Sequence, residues 1–195
     1  LREFLHDYAG FHPELIHEFL ARYATTSGQD AWKDYVAIIR DSIQQVTDRH
    51  GFVDYSSSFT VMKPVNKLID NALQMMRSGA YREAWHIVRA VLTEITKLIH
   101  RMDDSSGEAG NAIDQALVMM ARISEESDDR ELHDDLYDFI MNELPKDQYS
   151  GFDFDDTMIA IARDLARSAD QIMRLEQAID KRLENVRNEK EDFAY

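Results

Sequence analysis

The sequence contains no cysteine, and only three prolines and seven glycines occur among its 195 residues. Without cysteine there is no disulfide framework, no thiolate-bound zinc and no cysteine nucleophile. The shortage of glycine and proline leaves few turns for β-hairpins, and no stretch has the pattern of two paired strands. No run of about 18 apolar residues could span a bilayer, and the N-terminus lacks a secretory signal. We therefore expect a cytoplasmic protein without a membrane partner.

Apolar residues at helical spacing recur through nearly the whole chain, which predicts an all-α fold. The set that fits helical spacing best is Val65, Leu68, Ile69, Ala72, Leu73 and Met76. Further sets predict helices over residues 13–23, 30–51, 81–99, 113–123, 127–144, 156–167 and 170–191, and Leu1 begins another apolar set. One continuous helix is the alternative for the last two, because nothing between them breaks a helix strongly. The sequence thus predicts about eight or nine amphipathic helices.

Polar residues near the predicted helix ends indicate caps and linkers. Asp30 is predicted to cap the helix over 30–51, and Ser127 or Asp128 to cap the helix over 127–144. The serine run at 56–58 is predicted to be a linker between two helices.

A short break at Gly79 separates two strongly helical stretches. A connection this short forces the flanking helices to pack antiparallel as an αα-hairpin. The order of Ala72, Gly79, Tyr81, Ala84 and Leu92 resembles a tetratricopeptide hairpin. That resemblance implies small residues where the two helices cross, glycine at the turn and tyrosine in the groove between them.

Short helices cannot each bury an apolar stripe alone, so stacked hairpins are the arrangement we expect. The prediction is a single helical-repeat domain over residues 1–195, a tetratricopeptide-like α-solenoid of stacked antiparallel hairpins. A sub-boundary at residues 52–60 is the alternative domain division. Because the chain starts at Leu1 and inside a helical pattern, we expect it to be a piece of a longer protein.

Three segments carry a second resemblance: SGAYREAWHIVRAVL at 78–92, MDDSSGEAGNAIDQAL at 102–117 and DDRELHDDLYDFIMNELPKDQYSGFDF at 128–154. From Leu68 onward the chain resembles the helical region that follows the zinc finger in bacterial SWIM-type zinc-finger proteins. The resemblance implies an accessory helical domain of a larger protein that acts in protein or nucleic-acid interaction. The finger itself needs a C-x-C and C-x-H pattern, so it would lie upstream of Leu1, and no zinc ligand transfers to this chain.

The formal charge of −15 is concentrated in one stretch. Residues 1–101 carry 12 acidic and 12 basic side chains, whereas residues 102–156 carry 17 acidic and 3 basic ones. A field of that sign repels phosphate backbones, so direct nucleic-acid binding is not expected. The stretch is predicted to be either a solvated face or a surface for a protein partner that carries basic residues.

A basic stripe for nucleic acid could come only from the balanced half of the chain. Its candidates are Arg40, Arg49, Lys63, Lys67 and Arg77, and they are interspersed with aspartates. Trp85 has two interpretations, an anchor for a peptide at a hairpin edge or a core residue, and its spacing favours packing. The methionine pairs at 75–76 and 119–120 are likewise predicted to fill the core.

The sequence predicts no catalytic, cofactor-binding or metal-binding residue. His17 and His133 lack a second ligand at i+3 or i+4, the offsets that share a helix face. The remaining histidine–aspartate pairs considered as metal ligands are His12 with Asp7 and His50 with Asp54, and both reach across turns. The run Asp153, Asp155, Asp156 breaks the calcium-loop pattern, so Asp155 or Asp156 is predicted to be a helix N-cap instead.

These observations favour a non-catalytic protein-interaction or scaffold domain of a larger cytosolic bacterial protein. The alternative is a small-molecule sensor or an enzyme that uses a pocket between helices. A scaffold predicts a filled core with open grooves, whereas the alternative predicts a deep enclosed pocket lined by a few convergent polar groups. Close acid pairs, such as those among Asp134, Asp135 and Asp138, arise by abundance in so acidic a chain and do not indicate catalysis.

Overall fold

A computed structural model describes residues 30–149 and 154–192, and within those ranges it contains α-helices and no β-strand. The predicted all-α class is therefore confirmed. The helices are α1 (Trp32–Val46), α2 (Tyr55–Arg77), α3 (Tyr81–Leu98), α4 (Glu108–Glu126), α5 (Arg130–Glu143), α6 (Phe154–Leu165) and α7 (Ala169–Asp192). Two 3-10 turns, Ile99–Arg101 and Asp147–Tyr149, follow α3 and α5.

The seven helices of the described ranges are slightly fewer than the eight or nine predicted for the chain. The predicted helix over 13–23 and the apolar set at Leu1 lie outside the described residues. None of the helices in the described part is both long enough and apolar enough to cross a membrane.

The chain divides into two compact units, Leu1–Ile123 and Ser124–Tyr195. The division falls in the last turn of α4. The alternative boundary at 52–60 lies within the first unit, and the single repeat domain over 1–195 stays a prediction.

In the first unit, α3 packs against both α1 and α2, and α1 also contacts α2. Helix α3 is buried around most of its circumference because its apolar residues occupy more than one face. Trp85 and Leu92 have no exposed surface. The packing interpretation of Trp85 is therefore confirmed, and the peptide-anchor interpretation is wrong.

The break at Gly79 is confirmed as a three-residue connection between α2 and α3. Gly79 has φ +79°, a left-handed conformation that side chains with a Cβ rarely adopt. The backbone N–H groups of Ser78, Gly79 and Ala80 donate to carbonyl groups in the last turn of α2, at 2.9–3.2 Å. This turn brings α3 back along α2 as an αα-hairpin.

The serine linker predicted at 56–58 is wrong, because these residues form the first turn of α2. Asp54 is the N-cap, and its side chain accepts a hydrogen bond from the Ser57 N–H at 2.9 Å. Hydrogen bonds from Ser56 and Ser57 hold the pKa of the Asp54 carboxyl below its ordinary value. Pro64 lies inside the same helix, where it removes one backbone donor, and both it and Val65 are buried.

Two other predicted caps are also wrong. The Asp30 carboxylate pairs with the Lys33 ammonium at 2.8 Å, and no side chain caps α1. Helix α5 is capped by Asp129, which accepts from the Leu132 N–H at 3.2 Å, while Ser127 Oγ accepts from the Asp129 N–H at 3.2 Å. Which residue caps a helix depends on where the helix backbone begins, and composition alone does not determine that position.

Asp155 and Asp156 follow Phe154 inside α6, so neither is an N-cap. Asp155 forms an ion pair with Arg182 of α7 instead, and Arg182 also donates to the Leu144 carbonyl at 3.4 Å. In this second unit α6 packs against both α5 and α7.

The loops at one end of the first unit are joined by their backbones. Val53 and Met102 form an isolated parallel bridge, with the Val53 N–H donating to the Arg101 carbonyl at 3.1 Å and the Asp103 N–H donating to the Val53 carbonyl at 2.9 Å. Asp48 orders the preceding loop by accepting from the N–H groups of His50 and Phe52 at 2.8 and 2.9 Å. Those backbone hydrogen bonds lower the pKa of Asp48.

Candidate functional site

One side of α5 presents a row of carboxylates to solvent. Glu131, Asp134 and Asp138 are exposed, and their offsets of three and four residues place them along one side of the helix. We call these three residues the acidic stripe. Asp138 lies 3.5 Å from the Arg174 guanidinium of α7. The opposite side of α5 is buried through Leu132, Leu136, Phe139 and Ile140.

A cleft of about 640 Å³ opens to solvent at the N-terminal end of α5. Its lining is formed by Asp128, Arg130, His133, Asp134 and Arg167, all within the second unit. We call this feature the α5 cleft. Because Asp134 belongs to both, the α5 cleft adjoins the acidic stripe.

His133 is only 6% exposed, although it lines the α5 cleft. The Nη2 atom of Arg167 lies 2.5 Å from its Nδ1 atom. A guanidinium can only donate, so Nδ1 accepts this hydrogen bond and the ring proton is carried by Nε2. Nε2 is buried and has no hydrogen-bond partner among the described residues. An unsatisfied buried donor of this kind costs about 1–3 kcal/mol.

The sequence excluded His133 as a metal ligand and assigned it no other role. Its position beside the buried Leu132, on the side of α5 away from the acidic stripe, predicts burial alone. The contact with Arg167 joins residues from α5 and from the connection between α6 and α7. No periodicity or motif indicates such a pairing.

A second cleft, of about 470 Å³, lies on the surface of the first unit. It is lined by one side of α1 and one residue of α3: Trp32, Lys33, Val36, Ala37, Arg40, Asp41, Gln44 and Thr93. The guanidinium of Arg89 lies over the Trp32 ring, 4.4 Å from its centroid. We call this feature the α1–α3 cleft.

Arg40 of the α1–α3 cleft makes two hydrogen bonds of 2.9 Å to the carboxylate of Glu94, whose side chain is only 7% exposed. Lys97 also reaches this carboxylate, at 3.3 Å. The hydrogen bonds and the charge of Glu94 raise the pKa of Arg40, while burial opposes the shift. Arg40, one of the cations considered for nucleic acid, is therefore paired within the fold.

The other residues considered for chemistry serve structure or lie elsewhere. Asp54 caps α2 while His50 accepts from Arg49 at 3.0 Å, so these two do not converge on a metal. Among the described residues there is no group of three or more side chains suited to hold a metal ion. Met76, Met119 and Met120 are buried, as predicted for core residues, whereas Met75 is only half-buried. His12, His17, Asp7 and Asp153 fall outside the described ranges.

Three aromatic side chains near the start of α2 are exposed, and no pattern in the sequence singles them out. Phe52 and Phe59 keep 43% and 42% of their surface in solvent, and Tyr55 keeps 48%. The Tyr55 and Phe59 rings meet edge to face with centroids 5.2 Å apart. Their exposure distinguishes the start of α2 from the buried residues further along the helix.

Comparison with protein-family models, with curated proteins and with solved structures gives no match for this chain. The resemblances to the SWIM-associated helical region and to a tetratricopeptide hairpin therefore rest on the sequence motifs alone.

Proposed function

We propose that this chain is a non-catalytic protein-interaction domain that binds a partner with a basic surface. The partner docks on the acidic stripe and in the α5 cleft. The observation that carries this proposal is the row of exposed carboxylates along one side of a helix whose other side is buried. A helix fixed in this way presents its charges at defined positions, which favours specific docking.

Local charge supports the choice of partner. Between Asp128 and Asp138 the chain has six carboxylates and a single cation, Arg130. An excess of one sign steers an oppositely charged partner during encounter and repels phosphate backbones. A segment rich in arginine or lysine is the chemistry that complements this surface.

The core between the described helices supports the proposed scaffold role. Most apolar residues of α2, α3 and α4 are buried, with Tyr55, Phe59 and Val118 as exposed exceptions, and both clefts open to solvent. In the proposal, the chain is a tetratricopeptide-like part of a larger cytosolic protein, and the packing of α5 against α6 and α7 holds the acidic stripe in place while the partner docks.

One observation favours the alternative function, a small-molecule site between helices. The α1–α3 cleft has an aromatic side chain, apolar walls and paired cations, and its volume lies in the range of ligand pockets. The lining carries both signs of charge, with Lys33 and Arg40 beside Asp41. A small molecule that changes Trp32 fluorescence, and no longer binds Arg40→Ala, would establish this alternative.

The proposal is tested with fluorescein-labelled octa-arginine and fluorescence anisotropy. The stripe variant Glu131→Gln/Asp134→Asn/Asp138→Asn removes three exposed charges that each contribute about 0.2–1 kcal/mol, so we expect about tenfold weaker binding. The matched control Asp34→Asn/Asp41→Asn/Asp70→Asn makes the same change in net charge on α1 and α2. We expect the control to bind within about twofold of wild type.

Equal weakening by both variants would show that octa-arginine responds to net charge alone, which would contradict docking at α5. Wild-type affinity should also fall between about 50 mM and about 200 mM salt. Affinity that does not change with salt would contradict electrostatic docking.

A further inference from the structure

We propose that the contact between His133 and Arg167 is a pH switch that controls the α5 cleft. While His133 is neutral, Arg167 is held on the ring and the cleft accepts a cationic partner. When His133 takes up a proton, Arg167 leaves the ring and competes with the partner for the carboxylates of Asp128 and Asp134. This inference rests on the proposed function, because it describes the regulation of the same site.

The geometry of the contact allows only one protonation state of the ring. Arg167 approaches Nδ1 to 2.5 Å with an N–H group, so Nδ1 has to offer a lone pair. Protonation of Nδ1 would place two donors and two positive charges in contact. The hydrogen bond is therefore lost whenever His133 becomes a cation, and Arg167 has to move away.

The other ring nitrogen offers no compensation. Nε2 is buried and meets no acceptor in the part of the chain that the structure describes. A ring that is 6% exposed and charged would thus lack a hydrogen bond on both nitrogens. Protonation has to be accompanied by a rearrangement that brings the imidazolium or Arg167 to a carboxylate.

Carboxylates for that rearrangement are already present. Asp134 follows His133 on α5 and lines the cleft together with Asp128, while Asp129 is engaged in capping α5. The cations facing the same space are Arg130 on α5 and Arg167 from the connection between α6 and α7. A freed Arg167, which is exposed, can reach solvent and the cleft carboxylates without unfolding a helix.

The direction of the effect follows from charge. Protonation adds one positive charge to the site and frees a second, so the α5 cleft becomes less negative in acid. A basic partner therefore binds more tightly while His133 is neutral than when it is protonated.

A second histidine provides a matched control. His50 also accepts a hydrogen bond from an arginine, with Arg49 Nε lying 3.0 Å from its Nε2 atom. His50 is exposed and lies on a loop of the first unit, away from the acidic stripe in sequence. Because His50 does not line the α5 cleft, its substitution should not affect binding there.

The experiment measures octa-arginine binding between about pH 7.5 and about pH 5.5 for wild type, His133→Gln and His50→Gln. Glutamine keeps an oxygen acceptor for Arg167 and does not titrate. We expect wild type and His50→Gln to lose about fivefold in affinity over this interval, and His133→Gln to change by less than about twofold. The inference is overturned if His133→Gln keeps the wild-type pH dependence, or if wild type shows none.

A measurement without a partner separates failure of the switch from failure of the proposed function. In ¹⁵N-labelled protein, the Arg167 guanidinium signals are assigned through their loss in Arg167→Lys. We expect them to be protected from exchange near neutral pH, and this protection to disappear as the His133 ring takes up its proton. If octa-arginine fails to bind at every pH, the proposed function is wrong while this titration still decides the switch. Unchanged Arg167 signals during His133 protonation, or a ring that stays neutral down to about pH 5, would overturn the switch.

Discussion

The two units each place an arginine on a buried acceptor, but the acceptors differ. In the first unit Arg40 binds both carboxylate oxygens of Glu94, and Lys97 adds a third contact. In the second unit Arg167 binds one nitrogen of His133, whose other nitrogen has no partner among the residues described. Both oxygens of the Glu94 carboxylate are therefore hydrogen-bonded, whereas only one nitrogen of the His133 ring is.

The difference separates a structural contact from a conditional one. The carboxylate of Glu94 attracts its cations at every pH at which it is charged. An imidazole attracts an arginine only while it is neutral, since a protonated ring repels it. Similar geometry therefore gives a fixed connection between α1 and α3 and a reversible one at the α5 cleft.

The largest effect is expected from Glu94→Ala in the first unit. The substitution leaves Arg40 and Lys97 without their acceptor and opens space in a nearly filled interior. We expect a loss of about 2–3 kcal/mol in the free energy of unfolding, below the range for fully buried pairs because Arg40 is 54% exposed. Urea unfolding followed by tryptophan fluorescence reports on this unit, because Trp32 and Trp85 both belong to it.

The control for that prediction is Asp70→Ala, which removes an exposed acid from α2 and should change stability by less than about 0.5 kcal/mol. An effect of Glu94→Ala no larger than this control would remove the distinction between the two arginine contacts.

A smaller effect of opposite sign is expected from His133→Leu in the second unit. Leucine fills similar space and eliminates the unsatisfied Nε2 donor, so we expect stability to be unchanged or raised by about 1 kcal/mol. Thermal unfolding followed by far-UV circular dichroism provides the measurement. His133→Ala, which leaves a cavity, should be less stable than wild type. If His133→Leu is as unstable as His133→Ala, the ring contributes a stabilising contact that the geometry does not account for.

The smallest effect is expected from Asp48→Asn, which tests the pH range of carboxylate contacts. The folded protein lowers the pKa of Asp48, so Asp48 stabilises the fold. This contribution to stability is complete above the ordinary pKa of about 3.9 and is lost as the pH falls through the lower pKa of the folded state. The difference in melting temperature between wild type and the variant should be constant from about pH 5 to about pH 8 and should shrink in stronger acid. A difference that changed across the neutral range would contradict the assignment of the Asp48 contribution to its backbone hydrogen bonds.

Much of the helical framework could be predicted from spacing. The apolar set of α3 and the break at Gly79 follow from local pattern, whereas no strong helix breaker in the sequence separates α6 from α7. These features depend on residues within a few turns of one another, and apolar periodicity reports directly on such distances.

The start of α2 could not be predicted in the same way. The serine run at 56–58 has the composition of a linker, yet the Asp54 cap supplies the hydrogen bond that begins a helix there. Pro64 disfavours a helix interior by about 3 kcal/mol, and its burial beside Val61 and Val65 offsets that preference. The Asp54 cap thus overrides the composition of the serine run, whereas tertiary packing offsets the cost of Pro64.

The candidate site was predictable in charge but not in arrangement. The acidic excess of residues 102–156 is visible in the sequence, whereas the acidic stripe requires knowing which side of α5 is buried. The Arg167–His133 and Arg40–Glu94 contacts join residues that lie 34 and 54 positions apart. Such pairings arise from packing and have no local signature.

The bridge between Val53 and Met102 has a consequence for how the first unit opens. Its two hydrogen bonds join the chain immediately before α2 to the chain soon after α3, so the hairpin is closed at both ends. Neither helix can separate from the other by fraying from a free end. The hairpin is thus expected to exchange its amide hydrogens as one cooperative unit, with the bridge amides as slow as those of the helices they enclose.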